Sequence, residues 1–188
     1  MSLIASLRCV PASEFRCLPR KQRKWLFSVP SIESVPVLEA VRREVIRTVE
    51  EGETIRTFTR NVESVLAGFG LPALEKKTAA DLFHEYSMLE YSYANRKGMM
   101  DKAVLAVMPY WQFRSAGDGA VCARCASMDA FTAKWDDEIW QHLFPPIERK
   151  CRCTVIALAK NEIPEGSDSP GMDRLPQLIR DFISAVGD

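Results

Sequence analysis

The sequence predicts an α+β protein: a helical hairpin and a long helix, followed by a small cysteine-stapled module that contains β-strands. Three features predict it. Apolar residues recur at helical spacing between Val37 and Leu105, the period of helices that each bury one face. After Pro109 that period is lost, and short runs rich in aromatic and β-branched residues take its place, Tyr110-Trp-Gln-Phe113 and Cys153-Thr-Val-Ile-Ala-Leu158. Four of the six cysteines fall in the same stretch, as Cys122-Ala-Arg-Cys125 and Cys151-Arg-Cys153. With 188 residues, 47% hydrophobic and 27% charged, the chain can bury one respectable core and a small appendage.

Residues 1–34 read as a basic extended arm, with Pro11, Pro19 and Pro30 and one apolar run, Trp25-Leu-Phe-Ser-Val29, that can form a strand or pack on a partner. A helical region covers 35–108. Its first helix carries Leu38, Val41, Val45, Ile46 and Val49 on one face, with Glu39, Arg42, Arg43, Arg47 and Glu50 on the others. Gly52 ends it and Glu53-Thr54 starts the second, marked by Ile55, Phe58, Val62, Val65 and Leu66 until Gly68 and Gly70-Leu-Pro72 stop it. A third helical stretch runs from about Pro72 to about Leu105, with Ala79, Leu82, Phe83, Tyr86, Leu89, Tyr93 and Met100 spaced for burial and Gly98 as the point of bending or division. The cysteine-containing β module covers 109–159, with Gly117-Asp-Gly119 as a turn. Residues 160–188 are a polar linker and a short C-terminal helix bearing Leu178, Ile179, Phe182 and Ile183.

Formal net charge is zero, so no global field drives the chain onto nucleic acid or membrane. The balance hides a pole: residues 1–30 hold six basic side chains against one acid, Glu14, a net +5. No apolar run reaches the roughly 20 residues of a membrane span, and the opening Met-Ser-Leu-Ile has neither a basic start nor a long apolar core. The chain is therefore expected to be made in a reducing cytoplasm, where clustered cysteines bind metal or are simply buried more often than they form disulfides.

A structural zinc ion takes four thiolates at tetrahedral corners and is closed to substrate, and Cys122, Cys125, Cys151 and Cys153 are the candidate ligands. The spacing permits zinc without demanding it, because the C-x-C half is one residue shorter than the usual gap and strains one ligand, whose place His142 or Glu148 can take. In a module with little regular core such an ion contributes folding free energy directly. The alternative is two pairs of buried or disulfide-linked cysteines that only bring the loop ends together. Redox chemistry fits less well, since no βαβ pattern surrounds the C-x-x-C. Cys9 and Cys17 stand alone in the arm and are expected to be buried.

Catalysis finds little support. Asp136-Asp137-Glu138 are consecutive and diverge, which suits a solvated turn better than two carboxylates converging on one point. His84 and His142 are the two histidines, and no nucleophile–base pair, phosphate-cradling glycine loop or metalloprotease helix is found. Trp111, Trp135, Trp140, Tyr110 and Phe144 are expected to form the core of the module rather than a base-stacking platform. Arg20, Lys21, Arg23 and Lys24 are the candidate nucleic-acid contacts, since clustered cations pair with phosphates and release counterions, although such a cluster is also just a solvated arm.

The order Pro109-Tyr-Trp-Gln-Phe-Arg-Ser-Ala-Gly-Asp118, Cys122-Ala-Arg-Cys125, Met128-Asp-Ala-Phe131, Trp135-Asp-Asp-Glu-Ile-Trp140, Phe144-Pro-Pro146, Cys151-Arg-Cys-Thr-Val155 resembles the C-terminal module of the phage Mu F-like minor head proteins, the phage head morphogenesis family. Upstream, Glu50-Glu-Gly-Glu-Thr54 with Phe58 and the Ala94-Asn-Arg-Lys-Gly98 helix look like that family's helical half, so the resemblance covers about 35–158. Members often carry a histidine before the Cys-Arg-Cys, where this chain has Glu148. The resemblance implies a non-enzymatic structural component of a tailed-phage virion, in the head interior or near the portal vertex. It would aid head assembly and the handling of packaged DNA in packaging or ejection. The implied partners are the portal protein, the major capsid or scaffold protein, and packaged DNA through the arm, with no membrane and no small-molecule substrate. The alternative reading of the residues is a zinc-stapled nucleic-acid-binding module.

Overall fold

The computed structural model describes residues 2–23, 25–163, 175–177, 179–181 and 183, with the backbone alone for Arg20 and Lys21. The chain divides into two compact units, Met1–Glu90 and Tyr91–Asp188. Helices and two small sheets make it α+β.

The first unit begins where the sequence suggests an extended arm, and the described residues there are folded instead: α1 (Leu3–Ser6), β1 (Arg8–Cys9), α2 (Ala12–Cys17), α3 (Arg20–Arg23) and β2 (Leu26–Phe27). β1 and β2 pair in parallel, Arg8 opposite Leu26 and Cys9 opposite Phe27. Burial is the cause: Ile4, Leu7, Val10, Phe27 and Val29 are all at most 2% exposed. Apolar residues scattered among prolines carry no period, so their destination cannot be read locally. Of the two cysteines expected to be buried here, Cys9 is and Cys17 is exposed.

The hairpin follows as expected. α4 (Val35–Glu51) has Pro36 in its first turn, where a missing N–H costs nothing. It ends at Gly52, whose φ of 64° lies in the left-handed region and whose N–H reaches back to the carbonyls of Thr48 and Val49. Thr54 opens α5 (Ile55–Gly68), its hydroxyl accepting from the Thr57 N–H at 3.4 Å. Leu38, Val41 and Val45 meet Phe58, Val62 and Leu66 in the first core, together with Leu82, Tyr86 and Leu89 of α6 (Lys76–Met99). The Tyr86 ring lies 4.7 Å from that of Phe27, and its hydroxyl donates to the Leu26 carbonyl at 3.2 Å. At the hairpin's turn Arg47 forms ion pairs with Glu44 and Glu51 at 2.5 Å and with Glu53 at 2.8 Å.

In the second unit the helical stretch divides after Met99 rather than at Gly98. The Asp101 carboxylate accepts from the Ala103 N–H at 2.8 Å and so starts a separate α7 (Lys102–Val107). Tyr93 and Met100, spaced for burial in the sequence, are exposed, and Ser92 and Met99 are buried in their place. Next come β3 (Tyr110–Arg114), α8 (Ala123–Ser127), β4 (Thr132–Lys134), α9 (Trp140–Leu143), β5 (Thr154–Leu158) and a 3-10 turn at Lys160–Glu162. β3 is central in an antiparallel sheet of order β4-β3-β5, with Trp111 opposite both Ala133 and Ala157. Trp111, Phe113, Met128, Trp140, Leu143 and Val155 form the second core, joined by Leu175, Ile179 and Ile183. Trp111 meets Trp140 and Phe144 edge-on at centroid distances of 5.7 and 5.5 Å, so most of the module's aromatics are core, as expected. The expected linker beyond residue 163, up to residue 174, and the expected apolar positions Leu178 and Phe182 lie outside the described residues. Among those described, no helix is long and apolar enough to cross a membrane.

Candidate metal centre

Two loops bring the cysteines together. After β3 the chain turns at Asp118, whose carboxylate accepts from the Ala120 N–H at 3.0 Å. It then enters α8 at Cys122, where the Cys125 N–H donates to the Cys122 Sγ at 3.4 Å. Before β5, Lys150 adopts a φ of 66°, and the Cys151 N–H donates to the Glu148 carbonyl at 3.1 Å, closing a turn that swings Cys151 inward. Arg152 ties the loops to each other through a two-pronged ion pair with Asp118, one contact of which is 2.7 Å.

The sulfurs of Cys125, Cys151 and Cys153 all lie within 4.8 Å of one another, and this trio can hold a metal ion. Cys125 and Cys153 are buried and Cys151 is half-buried. The Cys125 and Cys151 sulfurs are 3.9 Å apart, far beyond the roughly 2.05 Å of a disulfide, and all six cysteines are free thiols. Cys122, the fourth candidate, is exposed and outside the trio, although its sulfur accepts the Cys125 backbone N–H. A cavity of about 200 Å³ adjoins the cluster. Its wall carries Arg124, Arg149, Lys150 and Arg152 against a single acid, Glu148, which pairs with Arg124 at 3.0 Å. His142 does not line it.

Three thiols this close cannot all ionise alone. Hydrogen bonds with Cys151 and then Cys153, with burial, push the Cys125 thiol up, while the bonds from Cys125 and then Cys153 hold Cys151 down as the favoured thiolate. At Cys153 the bond with Cys125 favours the thiolate, but the bond with Cys151, burial and the Cys151 charge outweigh it and push the group up to about 11. A cation among the three sulfurs would remove the repulsion that holds Cys125 and Cys153 protonated beside Cys151.

The remaining candidates stand elsewhere. The Asp137 carboxylate accepts from the Ile139 N–H at 3.0 Å while Asp136 and Glu138 point to solvent, a turn leading into α9. His84 is exposed on α6. In the basic stretch, Arg23 is engaged locally: its guanidinium donates to the carbonyls of Leu18 at 2.8 Å and Arg16 at 2.7 Å and sits over the Phe15 ring. Lys24 and the side chains of Arg20 and Lys21 lie outside the described residues. Asp118, Arg124 and Arg152 were not singled out from the sequence as parts of a site. Their charge beside the cysteine pairs was the available signal, and only the loop geometry gives it meaning.

Residues 39–156, from the first turns of α4 to the middle of β5 and including all four clustered cysteines, match the family described as Phage Mu protein F like protein. The chain is 28% identical over 155 residues to the putative capsid assembly protein F of Escherichia phage Mu, covering 74% of this chain and 35% of that protein. It is 22% identical over 146 residues to the Mu-like prophage FluMu F protein of Haemophilus influenzae, covering 71% of this chain and 35% of that protein. The chain thus spans about a third of the length of these curated relatives. No solved structure matches it. With well over half of its residues inside the match, the chain belongs to the Phage Mu protein F like family.

Proposed function

We propose that this chain is a structural, non-catalytic component of a tailed-phage head that acts in head assembly, at the portal vertex or in the head interior, after synthesis in the host cytoplasm. The observation that carries the reading is the family match, which takes in the hairpin, the long helix and the cysteine-bearing sheet together. A relative named as a putative capsid assembly protein supports it. So does the use of the module's large aromatics: Trp111, Trp140 and Phe144 are consumed as core and are not available to stack on bases or substrate. In this reading the partners are the portal protein and the major capsid or scaffold protein, and one structural zinc ion at the cysteine cluster is the cofactor.

Contact with packaged DNA is assigned to the basic stretch, through Arg20, Lys21 and Lys24. Arg23 contributes less because two backbone carbonyls already hold its guanidinium. The reading is tested by co-expressing the chain with the portal and scaffold proteins and sedimenting the assemblies. It should travel with heads or portal complexes, and a chain that stays at the top of the gradient in their presence overturns the head assignment. For the DNA contact, affinity for duplex should fall with salt at a log–log slope of about 0.9 per phosphate neutralised. Replacing Arg20, Lys21 and Lys24 with alanine should flatten that slope, and an unaltered slope removes the contact.

A further inference from the structure

We propose that the cysteine cluster is a closed four-thiolate zinc site in which the exposed Cys122 turns inward to join Cys125, Cys151 and Cys153 as the fourth ligand. This rests on the zinc ion proposed above and adds the residue that completes its shell, together with the charge state of the finished site.

The Cys125–Cys151 separation is that of a tetrahedral edge, and all three sulfurs lie within 4.8 Å of one another. Zinc–sulfur bonds of about 2.3 Å set ligand sulfurs about 3.8 Å apart, and Cys125 and Cys151 stand at 3.9 Å. Three corners leave one to fill, and three side chains compete for it. His142 is removed by position, because it does not line the cavity beside the cluster. Glu148 does line it, but its carboxylate is held at 3.0 Å by the Arg124 guanidinium, a bond that ligation would break. Cys122 has neither obstacle. It lies one short turn before Cys125, and its sulfur already accepts the Cys125 backbone N–H. That N–H is a donor suited to a metal-bound thiolate, which carries more negative charge than a thiol. Cys122 lines the cavity of about 200 Å³ beside the cluster, which leaves its thiol room to turn toward the other three sulfurs.

Charge selects the same ligand. Zinc with four thiolates carries a net charge of −2, whereas three thiolates and a water carry −1. Cationic side chains line the cavity, Arg124 paired with Glu148, Arg152 paired with Asp118, and Arg149 and Lys150 beside them, and cations close to the sulfurs favour the more negative complex. The consequence is mechanical: the ion fastens α8 to the turn that feeds β5, beside the Arg152–Asp118 pair that ties that turn to the loop before α8.

The test uses the full chain purified under reducing conditions without added metal. Elemental analysis should find one zinc per chain, and cobalt substituted for it should give the charge-transfer and visible bands of tetrahedral four-sulfur ligation. Alkylation followed by peptide mapping should show Cys122 protected with the metal in place and reactive after chelation, in step with Cys151. Cys17, exposed and far from the cluster in sequence, should react in both states. Cys122→Ser should shift the cobalt spectrum to three sulfurs and weaken retention against a chelator at least about tenfold, and Glu148→Gln should leave both unchanged. The alkylation arm needs no variant, so a Cys122→Ser chain that fails to fold does not remove the test. A parent chain free of zinc overturns the zinc reading itself. A zinc-loaded chain whose Cys122 alkylates as readily as Cys17, or whose spectrum follows Glu148 instead, overturns the fourth ligand alone.

Discussion

Trp111 and Trp140 are equally buried, at 1% exposure each, and touch edge-on in the second core, yet their indole nitrogens meet different fates. Trp140 Nε1 donates to the Lys134 carbonyl at 2.8 Å, fixing α9 to β4. Trp111 Nε1 is buried without a partner among the described residues. Phenylalanine removes similar volume at either position, so the two costs share a packing component and differ in the hydrogen bond. Trp140→Phe takes one of two donors from the Lys134 carbonyl, which keeps the Asp137 N–H at 3.1 Å, whereas Trp111→Phe discards a donor that had nothing to give to. Trp140→Phe should therefore be the more destabilising of the pair by about 1 kcal/mol. Urea unfolding followed by circular dichroism measures the difference, and equal midpoints would show that the indole bond adds nothing net.

At the scale of elements, α6 shows where a sequence pattern reaches its limit. Leu82, Tyr86 and Leu89 were legible as its buried face because apolar spacing is the signal that periodicity reads. Past Tyr91 the inward positions turn polar: Ser92 donates to the Pro145 carbonyl, Asn95 donates to the Val155 carbonyl at 2.7 Å, and the Arg96 guanidinium lies 4.9 Å from the Phe144 ring centre. A hydropathy period cannot see such contacts, which is why Tyr93 rather than Ser92 looked buried. The same limit hid β4, three residues of Thr-Ala-Lys that are a strand only because β3 lies beside them. It also hid the N-terminal elements, whose order comes from distant partners such as Tyr86. The cysteine site was half legible: the C-x-x-C and C-x-C spacing singled out four residues, of which Cys125, Cys151 and Cys153 converge, and which three converge depends on how the loops after β3 and before β5 close. Asn95 offers the direct check on the polar face. β5 is an edge strand, and Asn95→Ala takes the partner from its Val155 carbonyl, so a loss of about 1–3 kcal/mol is expected. Lys97→Ala, on the exposed side of the same helix, should stay within about 0.5 kcal/mol. If the two variants melt together, the polar anchor is not a stabilising contact.

The described residues hold two hydrophobic cores, one built from residues 4–89 and the other from 99–183, and their polar fastenings are of different kinds. The second unit relies on the cysteine cluster and the Arg152–Asp118 pair, while the first gathers carboxylates around Arg47 at the hairpin's turn. Chains with separate cores need not unfold in one step, so a perturbation is best read as a difference between two proteins that share everything else. Glu53 supplies one. The hydrogen bond from Arg47 holds its carboxyl below the ordinary value of 4.5, with smaller help from Thr48 and the charge of Arg60, and Glu44 and Glu51 share the same guanidinium. A carboxylate whose folded value is depressed contributes stability that is fully present above its unfolded value and disappears as pH falls through the folded one. In Glu53→Gln that contribution is absent at every pH. The gap in urea midpoint between parent and variant, followed by helical ellipticity, should therefore be constant well above pH 4.5 and close as the solution is acidified further. The exposed ion pairs among these residues are screened by salt, so the gap at neutral pH should also narrow as salt is raised. A gap that persists unchanged into strong acid would mean that Glu53 acts through packing of its side chain and not through its charge.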